Sequence, residues 1–272
     1  METKSEMQPS LISLKITDRI FGILNRIPYV AFYARTRGWE FILSWSHRIT
    51  GLLLVLYLWF HLITLSALSI PADYDAKMAL FSTPLVVFFE WLLAIPVIFH
   101  AVNGGRLMLF EIYGYRDDPA MIRWLFLVST AYLGLMAVFM LLGDQSVSPI
   151  FFWLIVFVSA VIGGYAFLAR IWRLGHSQFW KFQRASGVFL LVMIPAHFIF
   201  MHLNPAVAKD SAVIIARMQS AFIKIVDLAM VLAVVYHGYP EQRQDRPSKA
   251  RACASYRSLT QPEGQQYHRD NV

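Results

Sequence analysis

Apolar residues run along this chain in long blocks, with no alternation of hydrophobic and polar positions inside them. The blocks cover 49–70, 85–110, 122–142, 149–170, 185–203 and 220–239, separated by short polar stretches. Each is close to the ~17–25 residues that a helix needs to cross hydrocarbon. Without a barrel's two-residue period, a backbone in lipid must satisfy its own polar groups as a helix. The pattern predicts an all-α integral membrane bundle of about six transmembrane helices, five at least, occupying 45–239. Before it, residues 1–44 read as an amphipathic cytoplasmic segment lying on the surface, with Arg19, Arg26, Tyr29, Tyr33 and Arg35. Docking of a soluble partner is the alternative use of that segment. After the bundle, 240–272 is polar with no periodic apolar face and is expected to be disordered.

Charge adds orientation. Arg35, Arg37, Arg48, Arg116, Arg123, Arg170, Arg173, Lys181 and Arg184, with the Arg-rich tail, fall on one set of loops. The other set holds little beyond Lys77, Lys209 and Arg217. By the positive-inside rule both termini face the cytoplasm, and the chain is a multi-pass protein of the cell inner (cytoplasmic) membrane. The net charge of +7 is thus loop charge, and no nucleic-acid partner is expected. Only 15% of residues are charged and 57% are hydrophobic, against about 25% charged in soluble domains. The first ten residues are polar, with Glu2 and Glu6, so no cleavable signal peptide is expected. A single cysteine, Cys253, excludes an intrachain disulfide, a four-cysteine zinc site and an iron–sulfur cluster held by this chain alone. A redox centre here would need ligands other than cysteine, and eight histidines are available.

The chain repeats a pattern. Arg48-Ile-Thr-Gly51 opens the first span and Arg184-Ala-Ser-Gly187 the fifth. His61 lies thirteen residues after Arg48, as His197 does after Arg184; His100 follows Arg48 by 52 residues, and His237 follows Arg184 by 53. At about 1.5 Å per residue, His61 and His197 lie about 20 Å from the cytoplasmic ends of their helices. By the same rise His100 and His237 lie roughly 23 and 26 Å from the outer ends of theirs. Two imidazole pairs at matched depths can each clamp an iron porphyrin, and an ionisable group in a bilayer is costly enough to suggest function. For any one of these histidines the plain alternative is a polar side chain bonding a neighbouring helix. His202 falls near the outer boundary and reads as interfacial, while His176 and His268 read as solvent-facing. Pro96 and Pro195 precede two of the histidines closely and can kink their helices. Lys224 and Asp227, three apart, are expected to pair with each other. Trp45, Trp91, Trp124 and Trp172 lie near span ends and read as interfacial anchors.

Two motifs carry a resemblance. Ser44-Trp-Ser-His47-Arg48-Ile-Thr-Gly51 and His100-Ala-Val-Asn-Gly104-Gly-Arg106, with Glu111 following, closely resemble the cytochrome b membrane anchor of succinate dehydrogenase and fumarate reductase. The half over 45–145 is similar to that family's large anchor. The half over 180–239, from Arg184 to His237, looks like the small anchor, as in a fused or single-chain di-haem type. It departs from the small anchor after His237, where Gly238-Tyr239-Pro240 and a polar tail replace a third span and an Asp-Tyr pair.

The resemblance implies haem b, two groups or one, with His61, His197, His100 and His237 as axial ligands to the haem iron. It implies propionate contacts from His47, Arg48 and Arg184, and quinone contacts from Ser44 and Arg48. The implied partners are a flavoprotein subunit, an iron–sulfur subunit, membrane lipid, and ubiquinone or menaquinone as substrate. The chain would then be a non-flavin subunit of a succinate dehydrogenase (quinone), passing electrons to quinone and unable to oxidise succinate by itself. Two other readings are a di-haem cytochrome b of another quinone-linked oxidoreductase and a haem-free proton-coupled transporter.

Overall fold

The computed structural model describes residues 11–114, 118–142, 148–203 and 205–238. The amphipathic helix α1 (Leu11–Leu24) and the largely polar α2 (Pro28–Arg37), which buries no residue, lead into the long α3 (Trp39–Ser66). A short 3-10 turn and α4 (Pro71–Phe81) follow, then α5 (Pro84–Tyr113), α6 (Asp118–Leu142) and α7 (Pro149–Ile171). The rest is α8 (Gln178–Leu203), the short α9 (Pro205–Lys209) and α10 (Ser211–Arg217), and α11 (Ala221–Gly238). Among the described residues there is no strand. Six helices are long and apolar enough to cross a membrane, namely α3, α5, α6, α7, α8 and α11. The chain is a multi-pass membrane protein.

Its surface agrees. Leu52 is 73% exposed, Leu141 87% and Val235 65%. Water would penalise such side chains, and lipid does not. The interior is small and centred on α5 and α8. Met193 and Phe200 of α8 pack with Trp153 and Ala160 of α7 and with Ile223, Val226 and Met230 of α11. Ala94, Val97 and Ile98 of α5 pack with Met136 of α6 and Phe198 of α8. On the Arg-rich side, Phe21 of α1 docks beside Leu43, Ile122 and Leu125.

Helix starts follow local chemistry. Proline occupies the first turn of α2, α4, α5 and α7, where its missing N–H costs no hydrogen bond. Gly114 ends α5 in the left-handed region at φ 63°, which suits a residue without Cβ. Pro96 and Pro195 lie inside α5 and α8, and the Tyr132 hydroxyl donates to the Pro195 carbonyl at 2.6 Å.

On the side away from the arginine loops, α4 and α10 form a cap in which Tyr74, Met78 and Ile214 pack together. Asp210 caps α10 by accepting from the Ala212 and Val213 N–H groups. Asp75 accepts from the Ser211 N–H and hydroxyl at 3.0 and 2.8 Å, and the Tyr74 hydroxyl donates to the Ala208 carbonyl at 2.7 Å.

Two helices begin earlier than the apolar blocks suggested. α3 starts at Trp39 because Leu43, 2% exposed, extends its buried face toward the Arg-rich side, so the boundary at 44 falls inside a helix. α8 starts at Gln178 because Trp180 and Lys181 are buried there, the Lys181 ammonium donating to the Trp172 carbonyl at 3.2 Å. The Trp91 indole donates to the Leu133 carbonyl on α6 at 3.1 Å. The tail over 240–272 and Tyr239 lie outside the described residues.

Candidate functional site

Near the ends of α3 and α8 away from the arginine loops, the His61 and His197 rings lie close together, with centroids 6.4 Å apart and planes nearly perpendicular at 87°. Tyr57 stacks on His61 at 5.7 Å, and Trp153 of α7 lies 6.2 Å from His197. His197 Nδ1 is buried with no hydrogen-bond partner among the described residues. Two imidazoles sharing one metal, with bonds of about 2.0–2.1 Å and about 1.1 Å from nitrogen to ring centre, have centroids roughly 6.3 Å apart. The observed spacing fits. Among the described residues no group of three His, Cys, Asp or Glu could hold a metal ion. Two imidazoles alone would leave a bare ion under-ligated, whereas a porphyrin brings its own four nitrogens. The donor set therefore fits haem better than a free metal.

The second pair is built by glycine. His100 Nδ1 of α5 donates to the His47 carbonyl of α3 at 3.1 Å and lies 3.3 Å from the Thr50 hydroxyl. His237 Nδ1 of α11 donates to the Gln183 carbonyl of α8 at 3.3 Å. Each ring then rests on a glycine four residues beyond that carbonyl. A Cβ on Gly51 would meet His100 Cε1 at 3.1 Å, and one on Gly187 would meet His237 Cε1 at 3.0 Å. The repeat seen in the sequence is thus a repeated helix–helix contact. An imidazole that donates from Nδ1 keeps its Nε2 lone pair, the form a metal needs. The two rings lie within electrostatic reach of each other, and His47 lies within reach of both and of Arg106. His47 stacks on His100 at 4.0 Å with planes 7° apart, its own Nδ1 buried without a partner among the described residues. A Cβ on Gly104 would meet His47 Cε1 at 3.4 Å, and one on Gly105 would meet Leu191 Cδ2 at 3.1 Å. Gly105 therefore lets α8 approach α5. Asn103, fully buried, donates to the Leu43 carbonyl at 3.4 Å and accepts from Arg106 Nε at 3.0 Å.

The remaining charges are distributed as follows. Arg48 is exposed on α3, its guanidinium 5.4 Å over the Trp45 ring, one turn beyond half-buried Ser44. Arg184 makes a two-pronged pair with Glu111 at 2.7 and 3.1 Å, lies over Trp180 at 5.1 Å, and stands within electrostatic reach of His237. On the opposite side His202 Nε2 is 3.8 Å from Glu90.

Lys224 and Asp227 form no ion pair among the described residues. The charged neighbour of Asp227 is Arg217, brought there because α10 precedes α11 across a tight turn that an i,i+3 rule on one helix does not foresee. Burial pulls the Arg217 guanidinium below its ordinary pKa, opposed by Asp227 and Tyr74.

Two participants carry little signal in the sequence. Gln183 acts through its carbonyl, and only its place in the repeat, one residue before Arg184 as His47 precedes Arg48, points to it. Glu90 has no motif around it.

Residues 36–137, from the end of α2 through most of α6, match the family described as succinate dehydrogenase/fumarate reductase transmembrane subunit. The succinate dehydrogenase 2 membrane subunit SdhC of Mycobacterium tuberculosis (strain ATCC 25618 / H37Rv) is 33% identical over 103 residues, 37% of this chain and 74% of that protein. No solved structure matches the chain.

Proposed function

Because the chain belongs to the succinate dehydrogenase/fumarate reductase transmembrane-subunit family, we propose that it is a haem b-carrying anchor that docks a flavoprotein and an iron–sulfur subunit and passes their electrons to membrane quinone. The observation that carries this reading is the His61–His197 pair, 6.4 Å apart with no third protein ligand at hand among the described residues.

His61 and His197 would hold one haem, and His100 and His237 a second. Haem b, when bound, supplies one-electron transfer at a potential set by its axial ligands and surroundings. The protein's work is to fix ligand orientation. The His47 and Gln183 carbonyls hold the Nδ1 protons of His100 and His237 and leave each Nε2 free. Gly51 and Gly187 admit the rings against the neighbouring helices. His47 and Arg184 would meet propionates at the Arg-rich, cytoplasmic level.

Quinone, as ubiquinone or menaquinone, would bind at the same level. Arg48 donates to one carbonyl oxygen as charge builds on it, and Ser44, from the preceding turn, donates to the carbonyl oxygen on the other side of the ring. Two electrons from the iron–sulfur subunit and two protons from the cytoplasm convert quinone to quinol. Succinate oxidation stays in the flavoprotein. Both termini would be cytoplasmic and the membrane the inner one.

Isolation of the tagged chain from its native membrane tests the proposal. A flavin-bearing subunit should co-purify, and succinate should shift the Soret band and sharpen the visible haem bands of the complex. A pigmented chain that associates with no succinate-oxidising partner would overturn it.

A further inference from the structure

On the Arg-rich side guanidinium groups accompany the imidazoles, Arg184 beside His237 and Arg106 beside His47. On the opposite side cations are scarce. Lys209 stands within electrostatic reach of the Glu90–His202 pair, which balances it. Arg217 is different. It stands within electrostatic reach of His197, and its Nε is buried without a hydrogen-bond partner among the described residues. Asp227 offsets its charge from a distance, with no carboxylate oxygen at ion-pair range among the described residues.

The fold places Arg217 firmly. Asp210 caps the start of its helix, Asp75 pins Ser211, and neighbouring Met218 packs against both the cap and the main core. Leaving a buried donor unpaired costs about 1–3 kcal/mol, more when the group is charged. A guanidinium so held, with its Nε unused, suits a planar carboxylate, which it can grip with two parallel hydrogen bonds.

Haem b carries two propionate carboxylates on one edge. Resting on the haem reading above, we propose that Arg217 binds a propionate of the haem held by His61 and His197. That haem's carboxylate edge then points toward the α4–α10 cap, away from the Arg-rich side. The bound cation favours the state carrying one more electron, so it raises that haem's midpoint potential.

Redox titration of the visible bands of the assembled complex tests this with Arg217→Gln. Both haems should remain, and only the one that His61→Ala removes should become harder to reduce. A tenfold change in its equilibrium, about 59 mV for one electron, is the size expected. Arg217→Lys, which keeps the charge but loses the planar fork, gives a second reading should the glutamine variant fail to assemble. The propionate carboxylate bands in its reduced-minus-oxidised infrared spectrum should shift relative to wild type. Unchanged midpoints in Arg217→Gln, or an unshifted carboxylate band with an unchanged midpoint in Arg217→Lys, would overturn the assignment while leaving the haems in place. Wild-type protein without haem would refute the haem reading itself.

Discussion

A neutral imidazole has one donor and one acceptor, and in a bilayer both need a use. For His100 and His237 the donor is committed to a backbone carbonyl, which leaves the acceptor lone pair for the proposed haem iron. Replacement of His100 by alanine should remove one haem and leave the other spectrally intact, halving the haem-to-protein ratio; loss of neither would exclude His100 as a ligand. Arg48 makes a different expectation, because it is exposed and rests over Trp45 at 5.4 Å rather than over an imidazole. A hydrogen bond from a charged donor contributes about 1.5–3 kcal/mol. Arg48→Ala should therefore slow quinone reduction roughly 10- to 100-fold at unchanged haem content. Turnover assays with a soluble quinone read the first quantity and the absorbance spectrum the second.

Helix pairs are where the repeat becomes physical. α3 receives the His100 ring at Gly51, and α8 receives the His237 ring at Gly187 in the same register. A leucine at Gly187 would drive its Cβ to 2.7 Å from Met108 Cε and 3.0 Å from His237 Cε1. Overpacking of this kind costs about 1–3 kcal/mol. Gly187→Leu should lower occupancy of the His100–His237 haem and leave the His61–His197 haem near wild type, as read from the spectrum; equal loss of both would mean that the glycine serves general packing. The six spans and the thirteen-residue offsets were legible because long apolar blocks and histidine spacing are one-dimensional signals. Helix ends were less so. Leu43 and Trp180 continue α3 and α8 through tertiary burial that sequence hydropathy does not register. The electrostatic coupling of Arg217 to Asp227 was invisible for the same reason, since it arises only after the chain turns between α10 and α11. The Gln183 carbonyl belongs to the backbone, and a side-chain motif does not mark it.

Seen whole, the molecule has two polar levels of histidine within a lipid-facing bundle, one toward the Arg-rich loops and one toward the α4–α10 cap. The sole cysteine, Cys253, reports orientation. With both termini cytoplasmic, a membrane-impermeant maleimide should label it in inverted vesicles and leave it untouched in right-side-out ones; the reverse pattern would place the Arg-rich side outside. The proposal of a haem at each level of histidine is tested directly by stoichiometry. Purified protein from cells grown with ample haem should show the sharp reduced-minus-oxidised bands of bis-histidine haem, quantified at two haems per chain. A folded, colourless preparation would contradict the account.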